Sequence, residues 1–247
     1  MNKDKPKIAI IGYGSMGKEV ERIANEQEIT VSEIFDIDNL PDPDGKYKFD
    51  VAIDFTQPTS VINNIELVAS LGKNMVVGTT GWLEDINQAE VIIKKAGTGL
   101  VYGTNFSIGM QMFIRITKLA ASLTNSLEDY DIMLHELHHK HKKDSPSGSA
   151  LTLANTIIKE IKRKKVINDE ISKGLIDPRQ LHVTSTRGGE ITGTHTVYID
   201  SEADSIELTH RAKNRTGFAS GAVESAKWIY KRKGFYDFNV VFDKIIK

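Results

Sequence analysis

The chain has no cysteine among its 247 residues. That excludes a disulfide framework and thiolate chemistry, and it suits a reducing compartment. Net charge is nearly absent: 32 lysines and arginines stand against 33 aspartates and glutamates, leaving −1 with histidine neutral. A nucleic-acid binder would carry a strongly basic face, so no nucleic acid is expected as a partner. Long apolar runs are missing as well. None approaches the ~20 residues of a membrane span. The charged start, Met1 to Lys7, runs straight into a short apolar strand without the apolar core of a secretory leader. The expectation is a cytoplasmic protein with no membrane partner. Internal repeats and low-complexity segments are also lacking. At 40% hydrophobic and 26% charged the composition is ordinary for a folded protein, with length for one large domain or two modest ones.

What is present is concentrated in Glu136-Leu-His-His-Lys-His-Lys-Lys-Asp144-Ser-Pro-Ser-Gly-Ser149. Three of the seven histidines fall inside it, and His135 stands just before. The run breaks at Ser145-Pro146 and opens into a helix start, which Ser145 or Ser147 can cap. Imidazoles and ammonium groups thus lie just upstream of a helix N-terminus, where free N–H groups and the dipole favour anions. Histidine moves protons near neutral pH and lysine holds a carboxylate. The combination suits a small dianionic acid that is protonated as it reacts. Composition alone leaves a solvated surface turn equally open. A metal site at His135, His138, His139 and His141 is disfavoured, because H-E-x-x-H is absent and the lysines repel a cation.

The chain before this stretch has a regular rhythm. Lys7-Ile-Ala-Ile-Ile11 reads as a strand buried on both faces, and Gly12-Tyr13-Gly14-Ser15-Met16-Gly17 follows at once, ahead of a helix from Lys18 to Gln27. In G-x-G-x-x-G the first glycine allows a tight turn, the second lets a pyrophosphate approach the backbone, and the third lets helix pack on strand. A second strand, Thr30 to Asp36, ends in an acid 19 residues after Gly17, placed to accept hydrogen bonds from ribose hydroxyls. Strands at Asp50–Asp54, Met75–Val77 and Leu100–Tyr102 alternate with helices at Thr59–Leu71 and Glu84–Ala96. The pattern predicts a Rossmann-type parallel sheet, with Gly78-Thr79-Thr80-Gly81 and Gly103-Thr104-Asn105-Phe106 at its ligand-binding edge.

The alternation stops at Ile108, where a helix leads to the strand Tyr130–Glu136 that delivers the histidine stretch. After a helix from Ala150 to Ile161, three runs of period two (Gln180–Arg187, Gly193–Asp200, Ser205–His210) predict a mainly antiparallel sheet. Thr216 to Lys231 is a last helix. The expected fold is α/β, with a discontinuous dinucleotide-binding domain (residues 1–106 and 216–247) and an α+β substrate and oligomerisation domain (107–215).

Together the motifs resemble those of the 4-hydroxy-tetrahydrodipicolinate reductase (dihydrodipicolinate reductase) family. The most specific part is Glu136-x-His138-His139-x-x-Lys142-x-Asp144-x-Pro146-Ser147-Gly148-Ser149, where the family typically has threonine at the last position. Gly78-Thr79-Thr80-Gly81, Asn105-Phe106-Ser107-Ile108-Gly109, Arg187-Gly188-Gly189, Gly193-x-His195-Thr196 and Gly217-Phe-Ala-x-Gly-Ala222 support it in order. The resemblance implies NAD(P)H-dependent reduction of a cyclic unsaturated dicarboxylate with loss of water, in lysine (diaminopimelate) biosynthesis, by a homotetramer. It implies His138 as proton donor or acceptor and Lys142 as a second proton donor. His139 would touch the substrate, and Gly148 with Ser149 would hold one carboxylate. The cofactor would lie against Gly12 to Gly17, Asp36, Gly78, Thr79, Thr80, Thr104, Asn105 and Phe106; no metal is implied. Two departures bear on the cofactor. The glycine turn is compact, with Ser15 and no arginine, and Asp36-Ile37-Asp38 offers two carboxylates where many members carry an arginine for the 2′-phosphate. NADH is therefore the expected cofactor, with NADPH possible. A related dehydrogenase of another imino or keto dicarboxylate, such as aspartate dehydrogenase, lacks the His-His-x-x-Lys…Ser-Gly pattern. A non-catalytic dinucleotide-sensing module would not need both protic residues.

Overall fold

The computed structural model describes residues 5–246. The first four residues, part of the charged segment read above as carrying no leader, and the final lysine lie outside the described residues. One compact unit comprises the chain up to Ile108 and from Arg215 onward; Gly109–Asn214 is the other. Among the described residues, no helix is long and apolar enough to cross a membrane.

The first unit is built on β1 (Ile8–Ile11), whose four residues are all buried. Ile8 and Ile10 face one way, into a core with α1 (Ser15–Glu26) and α6 (Thr216–Ile229); Ala9 and Ile11 face the other, towards α2 (Val61–Ser70) and α3 (Ile86–Ala96). That two-sided burial is why the strand is continuously apolar. Around it lie β2 (Val31–Phe35), β3 (Val51–Asp54), β4 (Asn74–Val77), β5 (Gly99–Tyr102) and β11 (Gly234–Asp237), in the order β11-β5-β4-β3-β1-β2 with every pairing parallel. α6 packs so closely that a Cβ at Gly221 would sit 1.9 Å from the Phe106 carbonyl oxygen, which accounts for its small residues. The final pieces, β11 and α7 (Phe238–Ile245), belong to this unit. β11 is a parallel edge strand, an element that four residues of sequence did not announce.

The second unit holds a sheet in the order β10-β9-β6-β8-β7, formed by β6 (Asp131–His138), β7 (Val166–Asn168), β8 (Gln180–Arg187), β9 (Thr194–Asp200) and β10 (Ser205–Arg211). It is mixed: β9 pairs antiparallel with β6 and β10, whereas β8 pairs parallel with β6 and β7. The period-two runs led to an expectation of mainly antiparallel pairing. The parallel half follows from the helix α5 (Gly148–Glu160), which carries the chain from β6 back alongside it as a crossover. Ile132, Leu134, Leu181, Val183, Val197 and Ile199 point from one face into a core closed by α4 (Ile108–Asn125) and α5. Fully burying such a side chain is worth roughly 1.5–3 kcal/mol, so this layer fixes the register of β6. Glu136 and His138 extend the same alternation towards the end of the strand.

Candidate active site

The glycine turn of the first unit is tight at two of its three glycines and open at the third. Gly12 has φ +90°, and a Cβ there would lie 2.5 Å from the Phe55 carbonyl oxygen; one at Gly17 would lie 2.2 Å from the Gly12 oxygen. At Gly14 a Cβ would meet nothing within 4 Å, so that side of the turn is open. Gly14 is also the N-cap of α1, with no side chain capping the helix and no acidic residue in its first turn. An uncapped helix end with an open glycine in front fits a pyrophosphate. Asp36 follows β2, its Oδ1 accepting from Ile37 N at 3.0 Å, and Ile37 itself is exposed. Ser15 is exposed and Met16 packs with Tyr13 on the core beneath. The Lys18 ammonium lies 5.7 Å from the centroid of the Tyr13 ring.

The other strand-end residues are placed at the same edge, but not all present their side chains. The Thr79 hydroxyl is buried, donating to Asp54 Oδ1 at 2.6 Å and accepting from Thr56 N at 2.8 Å; Thr80 beside it is exposed. A Cβ at Gly78 would sit 2.2 Å from the Phe55 ring. Thr104 is exposed and Asn105 Oδ1 accepts from Ser107 N. Phe106 is buried in a stack on Phe238 at 4.5 Å, so its ring does not face a ligand at this edge. Asp54 itself escaped the sequence reading. Burial pushes its carboxyl up, while Thr79, Asn64 and Thr56 donate to it and tie the β3 and β4 turns together.

In the second unit, β6 ends on His138, and Glu136 lies two residues earlier on the same face. The register sets Glu136 opposite Ser185 on β8 and His195 on β9, and His138 opposite Arg187. The Glu136 carboxylate is completely buried. Its Oε1 accepts from Ser147 N at 2.9 Å, Ser185 Oγ at 2.8 Å and Arg187 Nη2 at 2.8 Å. Its Oε2 lies 2.8 Å from His138 Nδ1 and 3.6 Å from His195 Nε2. Burial pushes this carboxyl up, but His138, Ser147 and Arg187 outweigh it and hold the group far below the usual carboxylate range. His195 is pushed down to about 4, first by burial and then by His138 and His210, against the pull of Glu136. A neutral His195 ring therefore stands edge-on to His138, at 5.2 Å between centroids.

The loop after β6 turns at once, with His139 N donating to Ile191 O and Lys142 N to His139 O. Ser147, of the two serines considered, is the N-cap of α5, accepting from Ala150 N at 3.1 Å. Gly148 and Ser149 form the first turn of that helix, and a Cβ at Gly148 would meet nothing within 4 Å. The Lys142 ammonium is 2.8 Å from Asp144 Oδ1. Burial pushes Asp144 up, yet Lys142 and the backbone amide of Gly148 draw it below its ordinary value. A carboxylate is thus already held where a cationic side chain and a helix start meet.

The four histidines of the stretch do not converge. His135 points to the opposite face of the sheet, 2.6 Å from Thr184 Oγ1, and His141 extends outward near Glu190. Among the described residues the carboxylate and imidazoles that do cluster are Glu136, His138 and His195, with ligand atoms within 4.8 Å of one another. Arg187 already occupies that carboxylate, which opposes a cation. Glu136 and His195 entered the sequence reading only as parts of motifs. Their signal was available: each takes a core-facing position in a period-two strand where its neighbours are Leu134 or Val197.

Comparison with known proteins places the chain in a family. The family described as dihydrodipicolinate reductase, N-terminus, matches residues 6–106, and its C-terminal counterpart matches residues 109–242. The chain belongs to the dihydrodipicolinate reductase family. A 4-hydroxy-tetrahydrodipicolinate reductase of Christiangramia forsetii is 35% identical over 97% of this chain and 99% of its own length. One of Archaeoglobus fulgidus is 36% identical over 93% and 97%. Among solved structures, a dihydrodipicolinate reductase of Paenisporosarcina sp. TG-14 with dipicolinate bound superposes with a TM-score of 0.74 at 23% identity, over 96% of this chain and 99% of that one. That likeness confirms the fold of the reductase family, a Rossmann-like parallel sheet with a second, mixed sheet.

Proposed function

We infer that this chain performs the reaction for which its relatives are named. It reduces 4-hydroxy-tetrahydrodipicolinate to tetrahydrodipicolinate with loss of water, in lysine biosynthesis, drawing on a nicotinamide cofactor. A bound nicotinamide dinucleotide supplies the hydride. Gly12 to Gly17 with the N-terminus of α1 would hold its pyrophosphate, and Asp36 its ribose. Gly78, Thr80 and the backbone from Thr104 to Phe106 would border the rest, with Thr79 acting through the turn it stabilises. The open Gly14 and the uncapped helix favour this assignment.

The observation that carries the reading is His138, buried at the end of β6 with Nδ1 against a buried carboxylate and Lys142 four residues on. Departure of the hydroxyl as water needs a proton on its oxygen and releases one from the adjoining ring carbon, and the reduced ring takes up another, so one proton is consumed overall. His138 exchanges one through Nε2, and Lys142 donates the second once it leaves Asp144. His139 touches the substrate, and Gly148 with Ser149 holds one of its carboxylates at the start of α5. The enzyme works as a homotetramer in the cytoplasm and prefers NADH, because Asp36 and Asp38 repel a 2′-phosphate.

The test is NADH oxidation by the purified protein with 4-hydroxy-tetrahydrodipicolinate, followed by absorbance. His138→Ala and Lys142→Ala should each lower turnover by about 10²–10⁴-fold, the usual worth of general acid–base catalysis, and leave NADH binding intact. Near-normal turnover by His138→Ala would remove its proposed role.

A further inference from the structure

We propose that Glu136 is the positioning residue of this site: its buried carboxylate holds the His138 imidazole with a proton on Nδ1, leaving Nε2 to exchange protons with substrate. The inference rests on His138 being the proton-exchanging group.

A carboxylate withdrawn fully from water is costly unless donors surround it. Around Glu136 the donors are divided unequally. Oε1 takes the Ser147 amide, the Ser185 hydroxyl and the Arg187 guanidinium. None of these is bonded to Oε2, whose close polar neighbours among the described residues are the His138 and His195 rings. Oε2 and His138 Nδ1 are 2.8 Å apart and neither has an aligned hydrogen-bond partner. Each is therefore left for the other across 2.8 Å, and catalytic hydrogen bonds are often poorly aligned before substrate binds.

The remaining neighbours define the direction of the ring. His195, held neutral by burial and by its charged surroundings, has its Nε2 3.2 Å from Ser147 Oγ. On the far side, a Cβ at Gly193 would come within 2.9 Å of His138 Nε2, so the glycine clears that edge of the imidazole. Arg187 balances the Glu136 charge, and Lys142, Asp144 and His210 are the other charged or titratable groups bearing on the cluster. The carboxylate thus keeps a cationic partner whether His138 is neutral or protonated.

The donor pattern makes a definite test possible. In Glu136→Gln the carbonyl oxygen must face the three donors now on Oε1, so the amide NH₂ turns towards His138 Nδ1. That forces the ring proton onto Nε2, the opposite tautomer. Nitrogen-15 NMR of histidine-labelled protein at alkaline pH should show Nδ1–H for His138 in the parent and Nε2–H in the variant. Turnover of Glu136→Gln should fall by about 10²–10⁴-fold, the range seen when a carboxylate behind a catalytic histidine becomes an amide, with KM for NADH unchanged. Glu136→Asp, still an acceptor, should recover part of the loss. An Nε2–H tautomer in the parent overturns the inference without any variant. So does turnover by Glu136→Gln within about threefold of the parent, well short of that range. In the same assay, an active His138→Ala would sink the underlying reading instead, whereas an inactive His138→Ala beside an active Glu136→Gln sinks the positioning role alone.

Discussion

Lowering the pH from 7 to 5 should destabilise the protein through His195, a buried imidazole that the catalytic reading does not require to titrate. In the folded chain it is pushed down to about 4, with burial the main cause and the neighbouring imidazoles of His138 and His210 adding to it. In the unfolded chain it takes up a proton near the ordinary 6.5. Between those values the unfolded state holds one more proton than the folded state. Stability therefore rises with pH across this window, and is lost as pH falls from about 6.5 towards 4. At about 1.4 kcal/mol per pH unit the whole gap amounts to roughly 3 kcal/mol, of which about 2 kcal/mol falls between pH 7 and pH 5.

The perturbation is His195→Gln, which keeps a polar group beside Ser147 and cannot titrate. The variant should be less stable at pH 7, yet lose about 2 kcal/mol less than the parent on going to pH 5. His210 is also pushed down by burial and acts with the same sign, but it titrates in both proteins and cancels in the comparison. Glu136 is held far below the usual carboxylate range, so its contribution is present above about 4.5 and lost only as pH falls below that. The assay is urea unfolding at both pH values and fixed ionic strength, followed by circular dichroism. Losses that match within about 0.5 kcal/mol, close to the error of the extrapolation, would refute the assignment of a depressed, neutral His195.

Two further outcomes are expected. The natural chain should favour NADH over NADPH in kcat/KM by roughly tenfold, about 1.4 kcal/mol, and Asp36→Ser with Ile37→Arg should reverse the preference at fixed salt by replacing repulsion with a planar cation. A natural preference for NADPH would mean that Lys18 outweighs both aspartates. Gly193→Ala places a methyl group against His138 Nε2 at a φ of +155° that side chains rarely adopt. It should cut turnover by about 10²-fold through misplacement of the ring, with NADH binding by fluorescence unchanged.

The parts of the fold that could be read from the sequence are those dictated by backbone geometry. Gly12 and Gly17 each do what their spacing demands, because a tight turn between strand and helix leaves no room for a side chain at either. β11 was not visible, since its four residues become a strand only by pairing with β5, a contact made across more than a hundred residues of chain. The parallel half of the second sheet was hidden for a related reason. Period two reports which side chains share a face, but says nothing of strand direction.

The site divides along the same line. His138 and Lys142 could be singled out as candidates because proton chemistry resides in the residue type. Thr79 and Phe106 were placed at the correct sheet edge, but position at a strand end does not give the direction of a side chain, and both turn inward. Glu136 shows what a stricter use of periodicity yields. Counting back from His138 by twos gives Glu136, Leu134 and Ile132, so a strand whose inward face is otherwise apolar there carries a carboxylate. Such a group must find cations and donors, because its desolvation is not otherwise offset. Arg187, Ser185 and His195 occupy the matching positions of β8 and β9, two and three strands later in the chain. The inward face of β6 thus changes from apolar packing to buried ionisable groups within one step of two residues, and the register that buries Leu134 is the register that places His138.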